Sequence, residues 1–448
     1  MKINLRTAKE IKELKGFGAS AAWWSTAVPD EKTARNLAEL LYGNSGLKLN
    51  IYRYNVGGGY EKDNCRVDNP WRNIESFMDK DGNYDFSKDA NAVRMMRCAL
   101  DTGNVDTLVF FANSPHFIHT HTKQASGGFT EHFSNLRKEC YGDFAKYFLD
   151  ITEHFISEGY PVKYISPINE PQWKWGGEHV WQEGCHYEPE EVRDCLHAFA
   201  EELEKRKTPV MLYAPESGCI SDHTKEYWSL IKNDKLIMKH LGVFAYHSYH
   251  DDDNDKSKKN FGEWAENNLG KLRLDMSEWC ELPCRHDIDD IGGTLKMIRI
   301  IGEDLIFSRA ESWTAWVAVN QMDSSPDGKS YSDGLLAATD DFLTYRTAAR
   351  YRAMAHFSKF ISKNAVSLQT GNEKSLGFSS FLFKNTDGRF VLVCTNQSNR
   401  RRTVETDKNH SMTEIYRTPG SDDFSAEIPE DCHKTYIPPH SAATIIME

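Results

Sequence analysis

The stretch YISPINEPQW (164–173) is a short apolar run that ends in Asn169-Glu170-Pro171. Such a run is typical of a buried strand, and a carboxylate rarely closes one by accident. Glu170 could cap a helix at a strand-to-helix turn, or it could be the acid of an enzyme. The choice depends on whether similar runs occur elsewhere in the chain and on which residues end each of them.

Eight apolar runs, separated by amphipathic helical stretches, occur between residues 16 and 355. In chain order they are GFGAS (16–20), GLKLNIYRYNV (46–56), VDTLVFFAN (105–113), VKYISPIN (162–169), VMLYAPE (210–216), GVFAYHSY (242–249), KLRLDMSE (271–278) and SWTAWVAVN (312–320). Strands that alternate with helices form parallel βαβ units. Eight such units predict a (β/α)8 barrel that is enlarged by loop insertions.

A doubly wound open sheet is the alternative fold for alternating strands and helices. It would ordinarily carry a glycine-rich phosphate turn, but the glycines of VGGGY (56–60) are consecutive and do not match G-x-G-x-x-G. The barrel is therefore favoured. The absence of this fingerprint also argues against a dehydrogenase, and we expect no cofactor.

The composition changes after about residue 356, where short, alternating, β-rich segments replace the helices. This tail of roughly 90 residues is too short for a second barrel. We predict a catalytic barrel over 16–355 and an antiparallel β-sandwich side domain built from 1–15 and 356–448.

The charge and cysteine content narrow the possible partners and compartment. Lys+Arg number 54 against 66 Asp+Glu, a formal net charge of −12, and the longest basic run is Arg400-Arg401-Arg402. A nucleic-acid partner is therefore not expected. The ten cysteines form no CxxC pair, and the N-terminus lacks an apolar signal region. We expect free thiols, no membrane span and a cytoplasmic location, or a secreted protein if a leader has been removed.

Two of the predicted strands end in glutamates, Glu170 and Glu278. The carboxyl ends of barrel strands converge on the face where active sites are built, so we expect the two side chains to meet there. Glycoside hydrolysis needs a pair of carboxyl groups, one that protonates the leaving oxygen and one that attacks the anomeric carbon or activates water. Each glutamate alone could be a surface acid. Together, flanked by aromatic residues, they favour catalysis.

An ordered set of motifs makes the chain similar to glycoside hydrolase family 30. The motifs are GFGASAAWW (16–24), RYNVGGG (53–59), ANSP (112–115), ISPINEPQ (165–172), MSEW (276–279) and WTAW (313–316). The early GFGAS-AWW form most resembles the endo-β-1,6-galactanase branch of that family. The resemblance implies a retaining (β/α)8 hydrolase with its acid/base after the fourth strand and its nucleophile after the seventh.

Carried over to the matching positions, the resemblance makes Glu170 the acid/base and Glu278 the nucleophile. Further substrate-site roles fall on Asn169 at the sugar 2-hydroxyl, Arg53 beside the nucleophile, His247 and Tyr249 near it, and Trp316 as the pocket floor. Where relatives often read Ser-Pro-Pro-Trp, this chain reads Ser114-Pro115-His116-Phe117. Stacking on the sugar is therefore expected from tryptophans elsewhere, namely Trp23, Trp24, Trp173 and Trp175.

Several polar residues have weaker signals. Glu216 also ends a strand and is either structural or part of a subsite, while Glu183 and His186 could define acceptor subsites. The segments HFIHTHT (116–122) and DDDND (251–255) match neither a zinc nor an EF-hand spacing, so no metal is expected.

The sequence therefore predicts a retaining β-glycosidase that cleaves a neutral β-1,6-linked galactan or galacto-oligosaccharide. Within the same chemistry the alternative substrates are a β-glucoside, a β-xylan or β-xyloside, a β-fucoside and a β-glucuronide. The alternative from another class is a barrel that binds carbohydrate without cleaving it, which would usually lack one of the carboxylates.

Overall fold

A computed structural model describes residues 5–178, 180–220, 222–251, 253–324, 330–418 and 424–448. Strand β1 (Lys9–Glu13) precedes a closed barrel of eight parallel strands. The barrel strands are β2 (Gly16–Ser20), β3 (Ile51–Asn55), β4 (Thr107–Phe111), β5 (Val162–Ser166), β6 (Met211–Ser217), β7 (Leu241–His247), β8 (Arg273–Trp279) and β9 (Ser312–Ala315). Each corresponds to one of the eight apolar runs, and the predicted (β/α)8 barrel is confirmed.

The barrel strands are almost wholly buried because helices cover them outside and side chains fill them inside. The interior is packed by Ile51, Val109, Tyr213, Val243 and Ala245, which form one apolar cluster. These side chains fill the interior of the barrel, so a ligand can approach only at one of its two ends.

Helices alternate with the barrel strands along the chain, as the amphipathic stretches of the sequence predict. They are α1 (Glu31–Tyr42), α2 (Ala90–Asp101), α3 (Tyr141–Ser157), α4 (Pro189–Arg206), α5 (Asp222–Ile231), α6 (Lys235–His240), α7 (Asp255–Asn268), α8 (Ile291–Ile306) and α9 (Ala349–Ser358). Helix α4 begins with a capping box between Glu188 and Glu191, so the loop before it has a fixed end point. Among the described residues, no helix is both long and apolar enough to cross a bilayer.

Long insertions follow several barrel strands on the carboxyl-end face. The insertion after β9 carries the short strands β10 (Val319–Gln321), β11 (Asp323–Ser324), β12 (Ser330–Tyr331), β13 (Leu336–Ala338) and β14 (Tyr345–Thr347). This insertion and those after β3, β4 and β5 surround the carboxyl-end mouth of the barrel.

The side domain is an antiparallel sheet that includes a strand from each end of the chain. Its strands are β15 (Val366–Gln369), β16 (Lys374–Ser375), β17 (Phe378–Lys384), β18 (Phe390–Asn396), β19 (Arg402–Glu405), β20 (Met412–Thr418), β21 (Lys434–Ile437) and β22 (Ser441–Met447). The main sheet has the order β1-β15-β17-β18-β22-β20, and β19 pairs with β21. Helix α9 runs across the predicted boundary at residues 355 and 356.

Candidate active site

Glu170 and Glu278 lie together at the carboxyl-end mouth of the barrel. Glu170 comes after β5, the fourth barrel strand, and Glu278 lies in β8, the seventh. One carboxylate oxygen of each and a ring nitrogen of His247 all lie within 4.8 Å of one another. Both glutamates are buried. The arrangement brings two carboxyl groups close together at the mouth of the barrel.

Arg53 is the cation that binds the Glu278 carboxylate. Its Nη1 donates to Oε2 of Glu278 at 2.6 Å, and its Nη2 donates to Oδ1 of Asn169 at 3.0 Å and to Oε1 of Glu216 at 3.1 Å. The guanidinium is packed on the Phe111 ring, 3.7 Å from its centroid. Buried and fixed on three sides, Arg53 has little freedom to leave Glu278.

His247 lies between the carboxyl groups and bonds to two of them. Its Nδ1 is 2.9 Å from Oε1 of Glu170 and 3.6 Å from Oε1 of Glu278, and its Nε2 is 3.1 Å from Oε2 of Glu216. Burial lowers the pKa of His247, but the surrounding carboxylates outweigh it and raise the pKa to about 10. At neutral pH His247 is therefore an imidazolium that donates from both nitrogens.

Glu216 is the buried carboxylate that anchors both cations. Its Oε1 accepts from Arg53 and from Oγ of Ser166 at 3.0 Å, and its Oε2 accepts from His247 and from Oγ of Ser277. Burial raises its pKa, but Arg53 and His247 outweigh that effect and lower the pKa to about 2. Glu216 is completely buried. Of its two sequence interpretations the structural one fits, because no surface of this side chain can reach a substrate.

Tyr249 bonds to the second oxygen of Glu278. The phenol donates to Oε1 of Glu278 at 3.2 Å and lies 3.6 Å from Sγ of Cys280. Burial, together with the nearby Glu170 carboxyl, raises the pKa of Glu278 above its ordinary value, although the charges of His247 and Arg53 act in the opposite direction. Both oxygens of Glu278 accept from fixed donors.

Two of these carboxylates sit on unusual backbone. Glu170 has a φ of 45° and Glu216 a φ of 56°, in the left-handed region that residues with a side chain rarely adopt. The N–H of Glu170 donates to the carbonyl of Glu216 at 2.9 Å, which ties the two strand ends together. Nε1 of Trp175 donates to the carbonyl of Glu170 at 2.9 Å. Such positions cluster at functional sites because the surrounding contacts must hold them.

Aromatic rings lie at the mouth of the barrel near Arg53, which binds Glu278. Trp316 comes directly after β9 and lies 5.8 Å from the Arg53 guanidinium, measured to the ring centroid. Its ring meets that of Trp23 edge to face at 4.8 Å. Both rings are buried, with 7 % of the surface of Trp316 and 6 % of that of Trp23 exposed. Trp316 thus lies near Arg53 at the mouth of the barrel, and its role as the pocket floor stays a prediction.

The other tryptophan predictions have different outcomes. Trp173 is half-buried beside Glu170, with its ring 4.9 Å from that of His250, so it can reach a ligand. The prediction for Trp24 is corrected. Trp24 is completely buried and its Nε1 donates to the carbonyl of Ser20 at 3.0 Å, so its ring belongs to the core and Trp23 takes the place beside the site.

Glu183 and His186 hold the inserted loops together. Oε1 of Glu183 accepts from the N–H of Gly58 at 3.0 Å, and burial raises the pKa of Glu183 to about 8. His186 lies 3.0 Å from the carbonyl of Trp173 through its Nδ1. Both are buried, and these contacts hold the inserted loops together, while the suggestion that they define acceptor subsites stays a prediction.

The sequence alone did not single out Ser166, Ser277 or Phe111. All three stand at the ends of barrel strands, where a polar or aromatic residue in an apolar run could have drawn attention to them. Their partners, Glu216 and Arg53, come from other strands. Only the closed barrel brings them together.

One group of side chains in the described part of the chain is close enough to hold a metal ion, namely Glu170, His247 and Glu278. Arg53 already neutralises Glu278, and an imidazolium cannot act as a ligand. These residues therefore do not fit a metal ion.

Comparison with known proteins identifies the family. The sequence model of O-glycosyl hydrolase family 30 matches residues 1–226, just over half of the 448 residues. The chain belongs to O-glycosyl hydrolase family 30. The family resemblance found in the motifs is thereby confirmed, and this family 30 member is a glycosidase that acts on a carbohydrate.

Two curated enzymes are similar to this family 30 chain, and so are many solved structures, one of them from Bacteroides fragilis. It is 22% identical over 382 residues to the endo-beta-1,6-galactanase of Hypocrea rufa, covering 79% of this chain and 73% of that enzyme. It is 26% identical over 221 residues to the exo-beta-1,6-galactobiohydrolase of Bifidobacterium longum subsp. longum, covering 36% of this chain and 14% of that protein. Its fold matches a conserved exported protein from Bacteroides fragilis with a TM-score of 0.84, 22% identity and 99% coverage of both chains.

Proposed function

We propose that this family 30 member is a retaining β-glycosidase that cleaves β-1,6-linked galactan or galacto-oligosaccharides by double displacement. The observation that carries the proposal is the pair of Glu170 and Glu278, whose facing oxygens lie within 4.8 Å. Retaining glycosidases hold their carboxyl groups about 5–5.5 Å apart, whereas inverting enzymes need more room for a water molecule.

Glu278 is the nucleophile in this proposal. Arg53 and Tyr249 donate to its two oxygens and Arg53 stabilises the negative charge. In the first step an oxygen of Glu278 forms a bond to the anomeric carbon while the bond from that carbon to the leaving oxygen breaks. The partial positive charge on the sugar ring lies beside a carboxylate throughout.

Glu170 is the acid/base in this proposal, and its contacts support the assignment. Arg53 donates to both Glu216 and Glu278. In the described part of the chain it has no bond to Glu170, which contacts His247 instead. Of the two glutamates that end apolar runs, Glu170 is therefore the one that no arginine holds, and we assign the acid/base role to it.

The proton on Glu170 completes both steps. It passes to the leaving oxygen as the first glycosidic bond breaks, and the Glu170 carboxylate then takes a proton from water. The water oxygen bonds to the anomeric carbon and the bond to Glu278 breaks, which restores both residues.

Asn169 binds the 2-hydroxyl of the reacting sugar. Its Oδ1 accepts from Nη2 of Arg53 at 3.0 Å, and this bond fixes which end of the amide faces outward. The Nδ2 group is therefore available as a donor. A hydrogen bond at the 2-hydroxyl strengthens in the transition state of glycoside hydrolysis.

The choice of β-1,6-linked galactose has its support in the two curated relatives, whose names state β-1,6-galactan activities. The mechanism is shared by the alternative β-glycosides, so the substrate needs its own measurement. We expect hydrolysis of β-1,6-galacto-oligosaccharides and little hydrolysis of xylo-oligosaccharides or of aryl β-glucosides, β-fucosides and β-glucuronides.

The mechanism is tested by the configuration of the first product. Proton NMR during hydrolysis of a β-1,6-galacto-oligosaccharide should show the β-anomer first, with slow mutarotation afterwards. Release of the α-anomer would reject double displacement.

Glu278→Gln should abolish turnover while the oligosaccharide still binds in calorimetry. Near-normal turnover would reject Glu278 as nucleophile, and binding without hydrolysis by the wild type would favour the non-catalytic alternative.

A further inference from the structure

We propose that Trp23, Arg72 and Asp333 form a second glycone subsite, the outer subsite, that binds the galactosyl unit preceding the one transferred to Glu278. The inference rests on the proposed function and deepens it: the preferred substrate carries at least two linked neutral sugars on the glycone side of the cleaved bond.

The order of the barrel strands places the outer subsite opposite the leaving group. Trp23, Arg72 and Asp333 lie in the loops after the first, second and eighth barrel strands, which are neighbours in the closed barrel. Glu170, which protonates the leaving oxygen, lies after the fourth strand, across the mouth from the eighth. A sugar beside the outer subsite therefore belongs to the part of the substrate that stays on Glu278.

The outer subsite is continuous with the reactive one. The Trp23 ring meets the Trp316 ring at 4.8 Å, and Trp316 lies 5.8 Å from the guanidinium of Arg53, which binds Glu278. On the other side, the guanidinium carbon of Arg72 lies 4.3 Å from the Trp23 ring centroid. The indole thus forms a wall from the pocket floor to Arg72.

Arg72 has more hydrogen-bond donors than the protein uses. Its guanidinium is partly buried on Trp23, and among the described residues its side chain makes a weak hydrogen bond, from Nη1 to the carbonyl of Trp181 at 3.5 Å. Over the described ranges, no carboxylate forms an ion pair with it. A guanidinium that is partly removed from water and stacked on an indole, with most of its N–H groups unpaired, is suited to bind a ligand oxygen.

Asp333 makes the outer subsite suited to a neutral sugar. Asp333 lies in the insertion after β9, and the loop that carries Arg72 contacts this insertion through the hydrogen bond from Asn69 to Gln321. Burial lowers the pKa of Arg72, and the negative charge of Asp333 acts in the opposite direction. Oδ1 of Asp333 accepts a short hydrogen bond from Nδ2 of Asn320, which fixes its carboxylate. An anionic sugar would be repelled by Asp333, whereas a pair of hydroxyls can accept from Arg72 and donate to Asp333.

The loop that carries Arg72 is held in place before any ligand binds. Nδ2 of Asn69 donates to Oε1 of Gln321 at 2.7 Å, and its Oδ1 accepts from the N–H of Trp71 at 3.0 Å. Nε1 of Trp71 donates to the carbonyl of Asp340 at 3.2 Å. These bonds join the loop after β3 to the insertion after β9, so the outer subsite loses little freedom on binding.

The test compares two chromogenic substrates in the full-length protein. An aryl β-galactoside fills only the reactive subsite, whereas an aryl β-1,6-galactobioside also fills the outer one. We expect the wild type to have the higher kcat/KM on the galactobioside. Arg72→Ala and Asp333→Asn should each lower the ratio of the two kcat/KM values by about 10- to 100-fold, the effect of losing a charged hydrogen bond.

Controls separate this inference from the proposed function. Arg72→Lys keeps the charge but not the planar fork and should fall between the wild type and Arg72→Ala. Arg35→Ala, at an exposed ion pair on α1, should leave the ratio unchanged. Three results would overturn the outer subsite: an equal loss of kcat/KM on the two substrates, no loss on either, or a wild type that does not prefer the galactobioside. If Arg72→Ala does not fold, the near-isosteric Asp333→Asn decides. A wild type that cleaves neither galactoside rejects the proposed function, and the outer subsite falls with it.

Discussion

Nη1 of Arg53 donates to Oε2 of Glu278 at 2.6 Å, although the two residues are 225 positions apart in the sequence. Arg53 lies in the second barrel strand and Glu278 in the seventh. The same guanidinium reaches Asn169 and Glu216, so one cation connects residues from four of the eight strand ends. The reactive geometry is therefore a property of the closed barrel and not of any single motif.

Glu170→Ala should separate the two halves of the reaction. Loss of the acid/base typically costs about 10²- to 10⁴-fold in rate, but an aryl galactoside with a good leaving group needs no proton and should still react with Glu278. Hydrolysis of the glycosyl-enzyme should then limit the rate. Added azide should restore turnover and give the β-galactosyl azide, identified by NMR.

The matched control for this change is Glu201→Ala, at an exposed carboxylate on α4. It should behave as the wild type with and without azide. An unaltered rate for Glu170→Ala, or an azide product of α configuration, would contradict the role assigned to Glu170.

Glu216→Gln should weaken the fold and change the alkaline limit of activity. The change leaves Arg53 and His247 with one fewer buried anion, and breaking a buried ion pair typically costs about 3–5 kcal/mol. Because Glu216 helps to raise the pKa of His247 to about 10, that pKa should fall. Urea unfolding and the pH profile of kcat/KM measure the two effects. A stable variant with an unshifted alkaline limb would show that Glu216 is not the anchor.

Gly218→Ala tests the space beside Glu170. A Cβ at Gly218 would lie 2.3 Å from Nε1 of Trp173 and 3.1 Å from Oε1 of Glu170, so the indole must move. Displacing a reacting group by about 1 Å can cost about 100-fold in rate, and we expect a loss of that order in kcat/KM with normal unfolding.

Gly142→Ala, near the start of α3, is the control for that substitution. A Cβ there meets no atom within 4 Å, so activity should be unchanged and stability should rise by about 0.5–1 kcal/mol. Equal activities for the two alanine variants would show that the Trp173 indole has no part in substrate binding.

Glu183→Gln should change how stability depends on pH. The pKa of Glu183 is about 8 in the folded protein against 4.5 for a free side chain, so between those values the folded state holds a proton that the unfolded chain has lost. This carboxyl therefore makes the wild type less stable as pH rises from 4.5 to 8. One proton changes the free energy of unfolding by about 1.4 kcal/mol per pH unit.

The glutamine variant cannot ionise, so its advantage over the wild type should grow across that range and then level off. Urea titrations at about pH 5, 6, 7, 8 and 9 on both proteins measure the difference, which removes the contribution of Asp89, present in both. Parallel curves would show that Glu183 stays ionised.

The barrel could be predicted from sequence because its signal is local. Each strand is a run of apolar residues with a helix after it. Near the start of the side sheet the sequence changes to short, alternating, β-rich segments. The two glutamates were detectable for a related reason, since each comes directly after an apolar run. Family motifs then supplied Arg53, Asn169, His247, Tyr249 and Trp316, and the structure brings all five to the mouth of the barrel.

The features that sequence missed depend on contacts between distant segments. Trp23 and Trp24 are adjacent and chemically identical, yet one ring faces the mouth and the other fills the core, because Trp23 has a φ of 71° that turns the chain between them. Likewise, nothing in the local sequence of Arg72 distinguishes it from a solvated arginine. The binding role that we propose for it rests on Trp23, on which it stacks, and on Asp333, each from another loop.

The pairing of β1 with β15 has a consequence for synthesis. Lys12 in β1 bonds to Ser367 in β15, 355 residues later. At about 5–20 residues per second, a ribosome needs roughly 20–70 s to deliver that partner. During this time β1 is an unpaired edge that could pair with a strand of another nascent chain. Its sequence, KEIKE, has a charge at four of five positions. These charges disfavour aggregation of β1 before its partner β15 has been synthesised.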